Sequence, residues 1–373
     1  MSGTANTATT APVGLLRTWA SFVKLSHTVF ALPFAVAGLV AAHAVPTAFV
    51  YISQAPGDLP RLQDFDRHVP FSWVLLALVL VCMVGARTFA MALNRIMDRR
   101  IDALNPRTEG RELPAGRITL PQAWGLALLA ALAYFAACYA ISPVVALLSP
   151  IPVAMMALYP LTKRFTALCH LWLGATLGLA PVGAWVAARA MAPVGMGFET
   201  RGGEWQTAGW RAYLFGDEAI WNGLGWQALT EPAPWVLGLA VALWVGGFDV
   251  IYALQDVEFD RSHGLHSMPA RLGRSRALWL ARILHLLSAA AFAAFVWVLR
   301  NPPALGNGMD VAQYTTLASW IWSAPALMAL GMAFQHRLVR ADDLRRVDLA
   351  FFTVNGVIAV AFGTIFVAAW LMA

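Results

Sequence analysis

The stretch "WVLLALVLVCMVGARTFAMALNRIMDRRID", residues 73–102, decides the fold class. It begins with an apolar run of about 20 residues, the length that a helix needs to cross ~30 Å of hydrocarbon. It ends in "NRIMDRRID", residues 94–102, where charge is concentrated directly after that run. The stretch therefore predicts a membrane-spanning helix with a polar segment at the membrane boundary.

The composition of the whole chain agrees with this interpretation. Of 373 residues, 59% are hydrophobic and only 12% are charged, whereas a soluble domain carries about 25% charged residues. We therefore expect an all-α, polytopic membrane protein with about nine transmembrane helices in one bundle. The predicted spans are 25–46, 72–93, 121–141, 143–160, 168–190, 233–254, 275–298, 315–335 and 350–372.

The distribution of lysine and arginine predicts the orientation of this bundle. With nine spans and a cytoplasmic N-terminus, eighteen of the 26 basic residues flank the cytoplasmic ends of the spans, and six lie on the opposite side. This bias explains the net charge of +6 without a nucleic-acid partner. We expect a cytoplasmic tail at residues 1–24 and a single transmembrane domain at 25–373, with external insertions near 47–71 and 191–232.

The polar end of the second span carries a regular pattern of oxygen ligands. Asn94, Asp98 and Asp102 are spaced four residues apart, so on an α-helix they share one face in a stripe about 12 Å long. A single DxxxD of this kind is typical of a solvated helix end. Because like charges at this spacing repel, a cation is expected where the surroundings have a low dielectric constant.

A second acidic cluster follows the sixth predicted span, also on the cytoplasmic side. It contains Asp249, Asp256 and Asp260, and the last two repeat the four-residue spacing. Two matched clusters at membrane boundaries favour two carboxylate stripes that face each other across a central cavity. Oxygen ligands without His or Cys indicate a hard divalent cation, Mg²⁺ first, shared with phosphate oxygens.

Basic residues near the two clusters fit a phosphate anion. Arg107 and Arg111 follow the first cluster, and Lys163 follows the fourth span with Tyr159 one helical turn before it. Arginine suits two-point phosphate contacts and lysine acts as a point charge, so we expect these three cations at the phosphate. Neighbouring Arg117 and Arg164 are interpreted as topology signals.

Together, these motifs resemble the UbiA superfamily of intramembrane aromatic prenyltransferases, over nearly the whole chain. The family pattern NDxxDxxxD corresponds to residues 94–102, RTxxRPLxSG to "RTEGRELPAG" at 107–116, YxxxK to 159–163, and the second DxxxD to 256–260. The chain departs from the pattern at Arg95, where the family usually has Asp. That guanidinium is expected either near the phosphates or on the outer face of the helix.

The resemblance implies a UbiA-type bundle around a central cavity, and Mg²⁺-dependent transfer of a polyprenyl group from its diphosphate to an aromatic ring. It further implies one Mg²⁺ on Asn94, Asp98 and Asp102 and another on Asp256 and Asp260. Arg107, Arg111, Lys163 and Tyr159 would bind substrate. Asp249 would either orient or deprotonate the hydroxyl group of the acceptor, or it would pair structurally within the helices.

The implied acceptor is 4-hydroxybenzoate in a ubiquinone-type pathway, or a dihydroxynaphthoate in menaquinone biosynthesis. The implied place is the inner membrane of a bacterium, where the lipid tail of the donor can lie among the helices. A secondary transporter and a non-catalytic scaffold remain as alternatives. The acidic residues lie at helix ends rather than near the midplane, which argues against transport.

Overall fold

The computed structural model describes residues 15–22, 30–45, 71–191, 197–199, 205–207, 224–301 and 317–373. These residues form an all-α bundle, as predicted, with one short hairpin. Its helices are α1 (Leu15–Phe22), α2 (Leu32–Ala44), α3 (Trp73–Asp102), α4 (Leu120–Ile141), α5 (Pro143–Leu148), α6 (Pro150–Thr162), α7 (Cys169–Met191), α8 (Leu224–Gln227), α9 (Pro232–Tyr252), α10 (Val257–Ser262), α11 (Met268–Leu272), α12 (Arg274–Arg300), α13 (Ser323–Leu338) and α14 (Asn355–Leu371). Four short helical turns of other types cover Ala228–Thr230, Ala253–Asp256, Ser319–Trp322 and Leu349–Val354.

A helix occupies each of the nine predicted spans, but the count of nine transmembrane helices is not confirmed. In the described part of the chain, seven helical segments are long and apolar enough to cross a membrane. The first predicted span contains only the shorter apolar helix α2, and the eighth contains the 16-residue helix α13. Many large apolar side chains on the outer faces are exposed, among them Leu128, Leu286 and Leu330, as expected for surfaces that contact lipid.

Close backbone packing holds the centre of the bundle together. On α7, Gly174 and Gly178 lie so close to α9 that a Cβ atom at either position would overlap the carbonyl oxygens of Ala242 and Gly238. Small residues permit such an approach between helices in a membrane, where the hydrophobic effect does not drive helices together. Trp185 and Trp244 are fully buried in the adjoining core.

The fourth predicted span is divided into α5 and α6. The division falls at Ser149, because Pro150 has no amide hydrogen to continue the hydrogen bonding of α5. Pro160 lies inside α6, which ends two residues later at Thr162. This early end leaves Lys163 and Arg164 in a turn at the end of the helix, rather than on a continuing helical surface.

Two regions differ in detail from the sequence interpretation. Residues 1–24 are predicted as a tail, yet they contain α1, whose Phe22 is buried against Ala92 and Ile96 of α3. The predicted insertion near 191–232 contains an antiparallel hairpin of β1 (Gly197–Glu199) and β2 (Trp205–Thr207), followed by α8. Most of the predicted insertion near 47–71 lies outside the described residues.

Candidate active site

The first acidic cluster lies on the last turns of α3. This helix has 30 residues and is therefore about 45 Å long, longer than the hydrocarbon core is thick. Asp98 and Asp102 are both buried, and Asn94 lines the large cavity described below. The predicted stripe of three oxygen-bearing side chains is therefore present on one continuous helix.

The loop after α3 folds back over this cluster. The hydroxyl of Thr108 donates to the carbonyl oxygen of Asp102 (3.0 Å), and the amide of Thr108 donates to the carbonyl of Asn105 (2.8 Å). These turns bring Arg111 to Asp102, where Nη1 lies 2.7 and 2.8 Å from the two carboxylate oxygens. The predicted proximity of Arg111 to the first cluster is thus observed.

The same loop also reaches the second acidic cluster. Arg107 donates from Nε (2.9 Å) and Nη2 (2.5 Å) to the two carboxylate oxygens of Asp256, and from Nη1 to the hydroxyl of Tyr252 (3.1 Å). Asn105 donates to Asp256 as well (3.3 Å). Burial opposes the charge of Arg107, but Asp256 outweighs burial, and the net effect raises the pKa of Arg107. The loop therefore joins the two clusters at one end of the bundle.

The second cluster is not on one regular α-helix. The chain passes from α9 through the 3-10 turn Ala253–Asp256 into α10, on which Asp260 lies. Asp260 is 2% exposed. Its Oδ1 atom is buried without a hydrogen-bond partner among the described residues. A buried carboxylate oxygen without a donor is a suitable ligand for a cation.

Lys163 and Arg164 lie in the turn after α6, near the acidic clusters. The positive charge of Lys163 acts on both Asp98 and Asp260, so Lys163 lies near both clusters. Arg164 donates to Asp98 (3.2 Å) and to the carbonyl of Met97 (2.9 Å). The sequence interpretation treats Arg164 as a topology signal. The structure brings it to Asp98 instead, because α6 ends before Lys163 and Arg164.

Arg95 is buried, which excludes the outer face of α3 among the two places that the sequence leaves open. It is 4% exposed, and its Nη1 atom lies 3.2 Å from Oε2 of Glu112. Ser21 of α1 donates to the other oxygen of Glu112 (2.7 Å). Burial opposes the charge of Glu112, but Ser21 and Arg95 outweigh it and lower its pKa.

Asp249 is paired with a histidine. Nδ1 of His170 lies 2.7 Å from Oδ2 of Asp249, and Nε2 of His170 accepts the amide of Met268 (3.3 Å). Because Nε2 accepts, Nδ1 carries the hydrogen and donates to Asp249. This bond fixes the orientation of the Asp249 carboxylate, which suits a role in orienting a ligand better than a role in holding a metal.

A largely apolar cavity lies between α3, α4, α5, α6 and α7, with an empty volume of about 1240 Å³ that includes space open to solvent. Its wall follows α3 from Val79 to Asn94, which is about 22 Å of helix. Three polar side chains, Arg87, Asn94 and Tyr159, line it towards the acidic clusters. Nε of Arg87 is buried and has no hydrogen-bond partner among the described residues. The cavity therefore suits a long apolar group with an anion near its polar end.

The oxygen ligands fit a hard divalent cation, although they do not complete its coordination. Among the described residues, no group of three or more His, Cys, Asp or Glu side chains is close enough to hold a metal ion. Mg²⁺ is commonly bound by one or two carboxylates together with substrate phosphates and water, so paired acids on two facing segments are compatible with it. The buried, unpartnered Oδ1 of Asp260 supports the same conclusion.

Known proteins are similar to this chain along most of its length. The model of the UbiA prenyltransferase family matches residues 65–357. A 4-hydroxybenzoate octaprenyltransferase of Vibrio vulnificus is 28% identical over 301 residues, which cover 80% of this chain and 86% of that protein. The apo structure of a UbiA homologue from Aeropyrum pernix K1 is similar with a TM-score of 0.62 and 28% sequence identity. The alignment covers 93% of this chain and 97% of that chain.

A more distant structure shows the same fold. It is a UbiA homologue from Archaeoglobus fulgidus bound to GPP and Mg²⁺, with a TM-score of 0.58 and 15% identity. The alignment covers 95% of this chain and 99% of that chain.

Proposed function

The chain belongs to the UbiA prenyltransferase family, and from this premise we propose that it transfers a polyprenyl group from polyprenyl diphosphate to 4-hydroxybenzoate in quinone biosynthesis. That it is a prenyl-transferring membrane enzyme follows from the family. The donor, the acceptor and the residue roles are proposed on the geometry of the site. One observation carries the proposal: the cavity of about 1240 Å³ is apolar along most of its length, and its polar lining includes Asn94 of the first acidic cluster.

The donor fits this geometry in two parts. Its polyprenyl chain would lie along the apolar wall that follows α3, and its diphosphate would lie between the clusters, near Arg107, Arg111 and Lys163. Asn94, Asp98, Asp102, Asp256 and Asp260 would hold Mg²⁺ ions shared with the diphosphate. Bound Mg²⁺ would supply positive charge that stabilises the diphosphate as a leaving group. The solved UbiA homologue with GPP and Mg²⁺ supports this assignment.

The residues of this chain would act by binding and by electrostatics. Arg107, Arg111 and Lys163 would stabilise the negative charge that develops on the diphosphate when the allylic carbon–oxygen bond breaks. The electron pair of that bond leaves with the diphosphate. A ring carbon of the acceptor then forms the new carbon–carbon bond with the allylic carbon and loses its proton.

Arg87 supports an aromatic acid as the acceptor. An arginine inside a membrane span is costly unless it has a partner, and Nε of Arg87 has none among the described residues. A carboxylate in the cavity would supply that partner through a charge-assisted, two-point contact. Tyr159, which lines the cavity, and the His170-bound Asp249 would orient the hydroxyl group.

We further propose that the protein lies in the bacterial inner membrane with its N-terminus and the two acidic clusters on the cytoplasmic side. The bias of basic residues supports this orientation, because the loops that carry Arg107, Arg111 and Lys163 are among the cytoplasmic segments. In that orientation the diphosphate stays near water, while the prenyl chain can enter from the lipid.

Mass spectrometry of reaction products tests the proposal. Purified protein would be incubated with Mg²⁺, a polyprenyl diphosphate and either 4-hydroxybenzoate or a dihydroxynaphthoate. We expect prenylated 4-hydroxybenzoate, and no product when EDTA is present. Product from the naphthoate alone would overturn the proposed acceptor, and no product from either acid would overturn the proposed reaction. The Asp98→Asn variant is the matched inactive control.

A further inference from the structure

A residue of the loop that carries Arg107 and Arg111 forms an ion pair with α3 that the proposed chemistry does not use. Arg95 of α3 and Glu112 of the loop are 4% exposed each, and Nη1 of Arg95 lies 3.2 Å from Oε2 of Glu112. Removing one partner of a buried pair leaves an uncompensated charge, so each residue depends on the other. The pair therefore fixes the loop to α3, the helix that carries the first acidic cluster.

Glu112 also organises the loop through its main chain. Its carbonyl oxygen accepts the amides of Arg117 (2.8 Å) and Ile118 (3.2 Å), which closes the loop just before α4. The side chain of Arg117 lies 4.0 Å from the carboxylate of Glu112. Arg111, whose guanidinium group contacts Asp102, directly precedes Glu112. A displacement of Glu112 therefore also moves Arg111.

Helix α1 contributes the third contact. The hydroxyl of Ser21 donates to Oε1 of Glu112 (2.7 Å), while Phe22 is buried against α3 and α4. Glu112 is thus held from α3 by Arg95 and from α1 by Ser21. Both residues of the ion pair depart from the family pattern quoted above. Arg95 replaces Asp, and Glu112 replaces Pro. These two of the departures from the pattern contact each other.

We propose that Arg95, Glu112 and Ser21 are positioning residues that hold the loop at 103–118 in place, so that Arg107 and Arg111 face the diphosphate of the donor. The inference rests on the proposed function, because it assigns those two arginines to the diphosphate. None of the three positioning residues touches the substrate. Their effect is transmitted through the loop, since misplacement of a binding group by about 1 Å can cost a factor of up to ~100 in rate.

A double-mutant cycle tests the pair. The variants are Arg95→Met, Glu112→Met and the double variant Arg95→Met/Glu112→Met, and the measurements are kcat and the KM for each substrate. For the single variants we expect the KM for the prenyl diphosphate to rise about tenfold, which corresponds to ~1.4 kcal/mol. The KM for the aromatic acid should stay within about twofold of the wild-type value. The double variant should be less impaired than the product of the single effects, because no buried charge is left without a partner.

Hydrogen exchange of the purified protein gives a readout that does not depend on activity. In both single variants, amides at 103–118 should exchange faster than in the wild type, while amides of α9 should not. Ser21→Ala is a milder variant that keeps both charges, and it should give a smaller change of the same kind. If a single variant fails to fold, this variant still tests the inference.

The matched control is Glu231→Gln, which breaks another ion pair, Glu231 with the buried Arg189 (2.9 Å), at the other end of α7. It should leave exchange at 103–118 and the KM for the prenyl diphosphate unchanged. The inference is overturned if the single variants raise both KM values equally, or if their loop exchanges as in the wild type. Absence of turnover by the wild type would instead overturn the proposed function, and hydrogen exchange would still test the ion pair.

Discussion

Arg107 and Asp256 form a two-point ion pair between segments that are 149 residues apart in the sequence. Arg111 makes a comparable contact with Asp102, through one nitrogen and both carboxylate oxygens. Each arginine thus neutralises a carboxylate that the proposed function assigns to Mg²⁺. When Mg²⁺ and the diphosphate bind, the carboxylates would contact the cation, and the guanidinium groups could turn to the phosphate oxygens within the same site.

The shape of the guanidinium group at residue 107 should matter, in addition to its charge. Arg107→Lys keeps the charge but loses the planar fork that contacts Asp256 and Tyr252. We expect the KM for the prenyl diphosphate, measured by steady-state kinetics, to rise roughly tenfold. This is the effect of losing about one charge-assisted hydrogen bond. The control is Arg276→Lys at an exposed position of α12, which should have no effect. Equal kinetics for both variants would contradict the assigned role of Arg107.

The acidic residues should be needed for metal binding as well as for turnover. Asp260→Asn keeps the size of a buried side chain but removes its negative charge. We expect kcat to fall by roughly 100-fold or more, as for the loss of one electrostatic contact to a developing charge. Thermal stabilisation by Mg²⁺ with inorganic pyrophosphate should fall in parallel. Asp343→Asn, at an acid with an arginine partner outside this site, is the control. Retained turnover and metal binding in Asp260→Asn would exclude Asp260 as a ligand.

The sequence predicted much of the fold and of the site because two simple physical signals are strong here. Long apolar runs specify spanning helices, since the backbone must satisfy its own hydrogen bonds in lipid. The four-residue spacing of Asn94, Asp98 and Asp102 places them on one helical face as long as the helix continues. Helix α3 does continue to Asp102. The same argument applied less well at Asp256, where a 3-10 turn interrupts the helix.

The remaining features depend on contacts that a single sequence does not encode locally. Arg164 reaches Asp98 only because α6 ends after Pro160, and Arg95 finds Glu112 only because the loop folds back onto α3. The sequence analysis also assigns no site role to Arg87. The sequence does contain an indication of one, because Arg87 lies inside an apolar span, seven residues before Asn94 and thus on the same helical face.

Arg87 should control binding of the aromatic acid and not of the donor. In Arg87→Met, the KM for the hydroxybenzoate acceptor should rise roughly tenfold to a hundredfold, because a charge-assisted two-point contact is lost. The KM for the prenyl diphosphate should not change. A phenolic acceptor without a carboxylate is the matched substrate control, and its turnover should be the same in both proteins. An equal loss with that phenol would show that Arg87 does not recognise the carboxylate.

The stability of the loop at 103–118 should depend on acidic pH through Glu112. The pKa of Glu112 is lowered in the folded protein, so its ionised form stabilises the fold. That contribution is fully present above the ordinary pKa of 4.5 and is lost as the pH falls through the lowered folded value. Hydrogen exchange at 103–118, corrected for intrinsic rates, should therefore show a loss of protection below about pH 4.5. In the Glu112→Gln variant, protection of these amides from exchange should already be low at neutral pH and should change little on acidification. The prediction is wrong if this variant loses protection at acidic pH as the wild type does.

Filling the cavity should shorten the prenyl chain that the enzyme accepts. Gly183 lines the cavity, and a Cβ atom there would have no heavy atom within 4 Å, so a larger side chain can enter the cavity without overlapping the backbone. Gly125 of α4 has the same free space but does not line the cavity, which makes it the matched control. Gly183→Phe should raise the KM for an octaprenyl diphosphate and leave that for geranyl diphosphate nearly unchanged, because the shorter chain occupies less of the ~22 Å of wall along α3. Gly125→Phe should accept both donors as the wild type does. If Gly183→Phe also leaves both KM values unchanged, the prenyl chain does not lie along this wall.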